Sequence, residues 1–286
     1  MMTSLATYLS EKGNLIEEQL NLLIPETQQP YCSLFHATRY SLLGAGKRIR
    51  PIMTLAAAEA LNACSSLALI PACALEMVHT YSLIHDDLPC MDDDDFRIGK
   101  PSLHKTYPEG HTVLAGDFLL THAFGLLAEA PGLTDKQRIQ LVAVLSSRAG
   151  GNDGMIAGQI MDIESEGKKI DIATLTRLHQ CKTGALFVAS LEFGAIIAQA
   201  SDEQSEILRQ FGREIGLAFQ ILDDVEDMDS ENDGIKQKST FATLLGIEES
   251  RLQVEKLLTS ALERISQLPG GGGVLQDLAR WIVYRE

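Results

Sequence analysis

Residues 74–95 read "ALEMVHTYSLIHDDLPCMDDDD". The first half is apolar at helical spacing. The second half, from Asp86 to Asp95, carries six aspartates and no lysine or arginine. Carboxylates crowded in this way repel one another, so some must hold a proton or meet a cation. Pro89 cannot continue a helix smoothly. The helix is therefore expected to deform or end near it, which lets Asp92 turn back toward Asp86. A solvated acidic helix end would be the ordinary reading of such a stretch on its own.

A second stretch has the same character. "FQILDDVEDMD" (Phe219–Asp229) also follows an apolar helical run. On a helix, Asp223 and Asp227 share a face, and Asp224 and Asp227 are three apart. Residues 86–95 and 223–233 together hold 13 of the 39 acidic residues and no base. A solvated surface usually mixes its charges, so two such patches call for a ligand. Carboxylates without cysteine or histidine suit a hard cation such as Mg²⁺, which also takes waters and phosphate oxygens.

The cations are clustered too. "GAGKRIRP" holds Lys47, Arg48 and Arg50; "FRIGKPSLHK" holds Arg97, Lys100, His104 and Lys105; "HQCKTGALF" holds Lys182 and Thr183. Basic clusters in a chain of net charge −15 point to an anionic small molecule, and phosphate suits both guanidinium and Mg²⁺. The net charge argues against nucleic acid or anionic lipid as partner.

Outward from these motifs the chain reads as helix. No proline lies between Pro131 and Pro269, and apolar residues recur at helical spacing through that interval. Breaks are expected at 24–30, near Pro51 and Pro71, at 98–110, at 130–134, at 229–237 and at "PGGGG". The expectation is ten or more helices, almost no sheet and a single domain over 1–286. Five scattered cysteines suit a reducing cytoplasm. No apolar run is expected to span a bilayer.

"GKRIRP", "EMVHTYSLIHDDLPCMDDDD", "GQIMD", "CKTGA", "FQILDDVED" and "KSTFATLLG" resemble, in content and order, the motifs of trans-isoprenyl diphosphate synthases. The bacterial farnesyl diphosphate synthase branch is the most similar. The resemblance implies an all-α, isoprenoid-synthase-type bundle of antiparallel helices around a deep central cavity, with the two aspartate motifs facing across its mouth. It implies a prenyltransferase that condenses isopentenyl diphosphate with dimethylallyl and geranyl diphosphate to farnesyl diphosphate. About three Mg²⁺ ions per site would assist loss of the allylic diphosphate. Carried over by position, Asp86, Asp87, Asp92, Asp223, Asp224 and Asp227 would hold the metal. Arg97 and Lys182 would hold the allylic diphosphate. Lys47, Arg50 and His79 would hold isopentenyl diphosphate, with Lys238 also binding substrate. Thr183 and Gln220 would lie beside the allylic cation, so that Lys182, Thr183, Gln220 and Arg97 form the catalytic group. Tyr81 and Ser82, below Asp86, would set chain length. A homodimer is implied as well.

Three departures from the family pattern stand out. Ile98 replaces an arginine in "RIG", Ala45 replaces a glycine before Lys47, and the segment before Lys238 is short, with Lys236 a possible substitute for the usual lysine. They keep alternatives open: a geranylgeranyl diphosphate synthase, a weakly active or regulatory subunit that binds prenyl diphosphates, or, further off, a terpene cyclase.

Overall fold

The computed structural model describes residues 4–44, 46–229 and 239–284, the side chains of Asp227 and Asp229 excepted. In chain order the helices are α1 (Leu5–Leu23), α2 (Cys32–Leu42), α3 (Ile49–Ala60), α4 (Ser65–Asp86), α5 (Leu103–Thr106), α6 (Glu109–Ala128) and α7 (Asp135–Ala149). They continue with α8 (Met155–Ser165), α9 (Ile172–His179), α10 (Ala185–Ile197), α11 (Asp202–Asp229), α12 (Phe241–Leu245), α13 (Ile247–Ile265) and α14 (Val274–Tyr284). A π turn, Gln180–Gly184, joins α9 to α10. Among the described residues the only strands are β1 (Phe96–Arg97) and β2 (Lys100–Pro101), an antiparallel pair with Phe96 opposite Pro101. The all-α expectation holds.

The chain divides into two compact units. The first comprises Met1–Leu55 and Ser65–Val142; the second comprises Ala56–Cys64 and Ala143–Glu286. In the first, α4 packs mainly against α6. Helix α4 is buried around most of its circumference, from Pro71 to Val78 and again at Thr80, Tyr81 and Ile84, as expected of a helix apolar on all sides. In the second, α11 packs against α10 and α13. Helix α10 plays the part of α4 there, buried from Ala185 to Ala195. Its buried Glu192 receives Arg148 at 2.8 and 2.9 Å and Arg209 at 2.8 Å. Each acidic motif ends one of these long packed helices, α4 in the first unit and α11 in the second.

Two sequence expectations need correction. No break occurs at Pro71, which lies inside α4. Its ring is buried with Ala68, Ala72 and Leu75, and tertiary packing outweighs the local propensity. Pro51 sits in the first turn of α3, where a missing N–H costs nothing. The second correction concerns length: α4 and α6 are both long and apolar enough to cross a membrane by length and composition. In α4, 67% of that stretch is buried inside the fold, which makes it a core helix.

Candidate active site

The last turn of α4 ends as the sequence implied. After Asp86 the chain folds back, and the Asp92 N–H donates to the Asp86 carbonyl at 2.9 Å. The Met91 and Asp93 N–H groups both donate to the Leu88 carbonyl. Pro89, which has no N–H, sits within this turn. Two of the motif's ends, Asp86 and Asp92, are thus held together by the backbone itself.

Much of the charge is answered by the segment that follows. Arg97 Nε donates to Asp87 at 2.9 Å, its Nη2 also meets Asp87, and Nη2 reaches Asp94 at 2.8 Å. Lys105 lies 2.7 Å from Asp95 and 3.7 Å from Asp93. The sequence reading gave Asp87 to the metal and Arg97 to diphosphate; in this state they hold each other. Burial pushes the Asp87 carboxyl above its usual range, against the pull of Arg97. A diphosphate that recruited Arg97 would release Asp87.

Between β1 and β2, Ile98 (φ +51°) and Gly99 (φ +73°) form the turn. Left-handed conformations at both centres make it a tight hairpin of the kind favoured by Asn-Gly. Ile98 is 58% exposed at the tip. The hairpin lies beside the GAGKRIRP turn: Tyr40 donates to the Pro101 carbonyl at 2.8 Å, and a β-carbon on Gly44 would come within 3.0 Å of Lys100 Nζ. In that turn Lys47 is exposed, Arg48 buried and Arg50 half-buried. Arg50 Nη1 lies 3.1 Å from His79 Nε2. Burial first, and then the guanidiniums of Arg50, Arg48 and Arg97, hold His79 well below the usual imidazole range. His79 is therefore a neutral acceptor that steadies Arg50.

Tyr81 is buried on α4, with its ring edge-on to His85 at 5.7 Å. Burial, then Asp86, pushes its phenol up to about 12. Among the described residues its hydroxyl has no hydrogen-bond partner. Ser82 donates to the His79 carbonyl at 2.8 Å and stays within the helix backbone.

In the second unit, Lys182 and Thr183 sit on the π turn. Lys182 Nζ donates to Asp162 Oδ2 at 2.6 Å. Thr183 Oγ1 donates to Gln220 Oε1 at 2.7 Å. The structure thus joins the two residues assigned to the allylic cation. The absence of a side chain at Gly158 lets α8 come very close to this turn: a β-carbon there would lie 2.1 Å from the Lys182 backbone nitrogen. Sequence reading found Gly158, Gln159 and Asp162 only as the quoted "GQIMD", without roles. Asp162 neutralises Lys182, and Gln159 Nε2 is buried with no hydrogen-bond partner among the described residues. Asp223 is half-buried one turn beyond Gln220 on α11.

Asp224, grouped with the metal ligands by sequence, is 6% exposed, and both of its oxygens meet protein groups. Oδ2 accepts from the Phe241 N–H at 2.9 Å and lies 3.2 Å from His179 Nε2; Oδ1 faces Gln220 at 3.4 Å. It anchors the start of α12, where Thr240 forms a capping box with Thr243. Lys236, Lys238, Ala45 and the side chain of Asp227 lie outside the described residues.

The donors on offer fit Mg²⁺. They are carboxylate oxygens, the ligands of a hard cation. Among the described residues no three His, Cys, Asp or Glu side chains converge on one point, so waters and phosphate oxygens would complete the coordination, as Mg²⁺ prefers.

A model of the polyprenyl synthetase family matches residues 32–264. The chain belongs to that family. The farnesyl diphosphate synthase of Bacillus subtilis (strain 168) is 37% identical over 297 residues, covering 100% of each chain. A chloroplastic geranylgeranyl pyrophosphate synthase of Catharanthus roseus is 40% identical over 292 residues, which is 98% of this chain and 81% of its own length. A solved structure, that of an FPP/GFPP synthase from Zymomonas mobilis, matches with a TM-score of 0.91 at 38% identity and covers 98% of both chains. This polyprenyl synthetase has the all-α isoprenoid-synthase fold, and it is a trans-prenyltransferase of the short-chain type.

Proposed function

We propose that this polyprenyl synthetase makes farnesyl diphosphate. Isopentenyl diphosphate would be joined first to dimethylallyl and then to geranyl diphosphate. The carbon–oxygen bond of the allylic substrate breaks and diphosphate leaves with the electron pair. The terminal alkene carbon of isopentenyl diphosphate bonds to the resulting cation, and a proton departs.

Arg97 and Lys182 hold the leaving diphosphate, each turning from a carboxylate that now neutralises it, Asp87 or Asp162. Lys47 and Arg50 hold isopentenyl diphosphate, and neutral His79 orients Arg50. The oxygens of Thr183 and Gln220, already paired, offer negative dipoles to the allylic cation. Asp86, Asp92, Asp223 and Asp227 would hold Mg²⁺, which would supply charge neutralisation for the departing diphosphate.

The observation that carries the product assignment is Tyr81. It lies five residues before Asp86, about 7.5 Å down the helix by its rise, and its ring is buried. There it stops a growing chain. A second reading, geranylgeranyl diphosphate, is favoured by the Catharanthus roseus relative at 40% identity. The same proposal includes one functional domain over 1–286, a homodimer and a reducing cytoplasm. Val113 and Leu114, exposed on α6, support the pairing, and five scattered cysteines support the compartment.

The test supplies Mg²⁺, labelled isopentenyl diphosphate and either dimethylallyl or geranyl diphosphate, then sizes the products. C15 chains from both primers are expected. C20 chains would establish the second reading. Substrate binding without product would point to the regulatory subunit instead.

A further inference from the structure

Arg48 has a backbone φ of +51°. A left-handed conformation is unfavourable for a residue with a side chain, and it persists only where the surroundings over-determine it. Here they do. Arg48 is 7% exposed. Its Nε donates to Glu17 on α1 at 2.7 Å, its Nη1 to Glu76 on α4 at 2.7 Å, and its Nη2 to the Leu42 carbonyl ending α2 at 2.5 Å. Its own carbonyl accepts from the Ile52 N–H at 3.1 Å and so opens α3. One residue ties α1, α2, α4 and the start of α3 together.

The placement along α4 gives this tie a purpose. Glu76 and His79 are three residues apart, on one face of the helix. Arg48 meets Glu76, and Arg50 meets His79 at 3.1 Å. The loop therefore lies on α4 by two rungs, a buried one and a half-buried one. Lys47, next to the buried rung, is exposed. A buried ion pair is a poor source of stability, since apolar residues of similar volume often do as well. What it adds is direction, because a guanidinium fork fixes several acceptors at once.

We propose that Arg48 is a positioning residue: through Glu76, Glu17 and the Leu42 carbonyl it sets Lys47 and Arg50 in register for isopentenyl diphosphate without touching that substrate. The inference rests on the proposed function above.

The test compares wild type, Arg48→Lys, Arg48→Met and the double variant Arg48→Met/Glu76→Leu. Thermal midpoints are measured alongside KM for each substrate and kcat. Arg48→Lys keeps a charge for Glu76 but loses the fork. It is expected to raise KM for isopentenyl diphosphate by about tenfold, the scale of one lost charge-assisted hydrogen bond, with KM for the allylic substrate unchanged. Arg48→Met is expected to lower the thermal midpoint by stranding Glu76. The double variant is expected to regain the midpoint yet keep the raised KM. A wild-type KM for isopentenyl diphosphate in Arg48→Lys or the double variant, or an equal rise for both substrates, would overturn the proposal. A wild-type enzyme that fails to condense isopentenyl diphosphate at all would instead remove the functional reading on which it rests.

Discussion

Tyr81 and His79 lie two residues apart on α4, and each leads to a measurement. The Tyr81 hydroxyl is buried with no partner among the described residues, and leaving a polar group in that state costs about 1–3 kcal/mol. Tyr81→Phe is therefore expected to raise unfolding free energy by about 1 kcal/mol in urea titration, while the retained ring leaves product length unaltered. Tyr81→Ala is expected to lengthen the product; C15 chains from that variant would remove Tyr81 from the end of the cavity. His79 titrates in the opposite sense to a salt-bridged histidine. Its folded value is depressed by burial and by Arg50, Arg48 and Arg97. As pH falls through the ordinary imidazole value of about 6.5, the unfolded chain gains a proton that folded His79 refuses. Stability then declines by up to about 1.4 kcal/mol per pH unit. His79→Gln should flatten that slope between pH 6.5 and 5. Identity and spacing of the aspartates were legible in the sequence; their division of labour was not. Asp224 looks like Asp223 on paper, and only the position of Phe241, 17 residues on, makes it an anchor.

At the scale of elements, two short pieces were invisible to periodicity. The hairpin at 96–101 is two residues per strand, too brief for an alternating pattern. Its strain is concentrated at Ile98, a β-branched residue at φ +51°. Ile98→Asn supplies a side chain that tolerates this conformation, and should raise unfolding free energy by about 1 kcal/mol. Ile98→Arg carries a separate expectation, a lower KM for isopentenyl diphosphate; an unchanged or higher KM would place residue 98 away from that substrate. The π turn is the second piece. A helix pattern passes through "HQCKTGALF" unbroken, and the extra residue falls where α8 comes close at Gly158. Gly158→Ala brings a methyl to 2.1 Å from a backbone nitrogen, where overpacking costs about 1–3 kcal/mol. The turn must shift, and Lys182 with it. A loss of kcat of about tenfold or more is expected, against a modest change in KM for isopentenyl diphosphate. Wild-type kcat would show that Lys182 tolerates another register.

For the whole molecule, the helical class was readable because apolar spacing is strong over long segments, as in α4, α10 and α11. Helix α4 also shows where such reading fails. Its Pro71 reads as a break in the sequence, but burial on all sides, which no local window contains, carries the helix through it. The proposed function requires that Asp86 at the end of α4 and Asp223 on α11 act on one diphosphate. A double-mutant cycle tests this most directly: kcat/KM for wild type, Asp86→Ala, Asp223→Ala and the pair, at saturating Mg²⁺. Groups that act as a unit are far from additive. Each single change is expected to cost about a hundredfold or more, and the pair far less than the product of the two losses. Losses that multiply in full, or a single variant with wild-type kcat/KM, would contradict it.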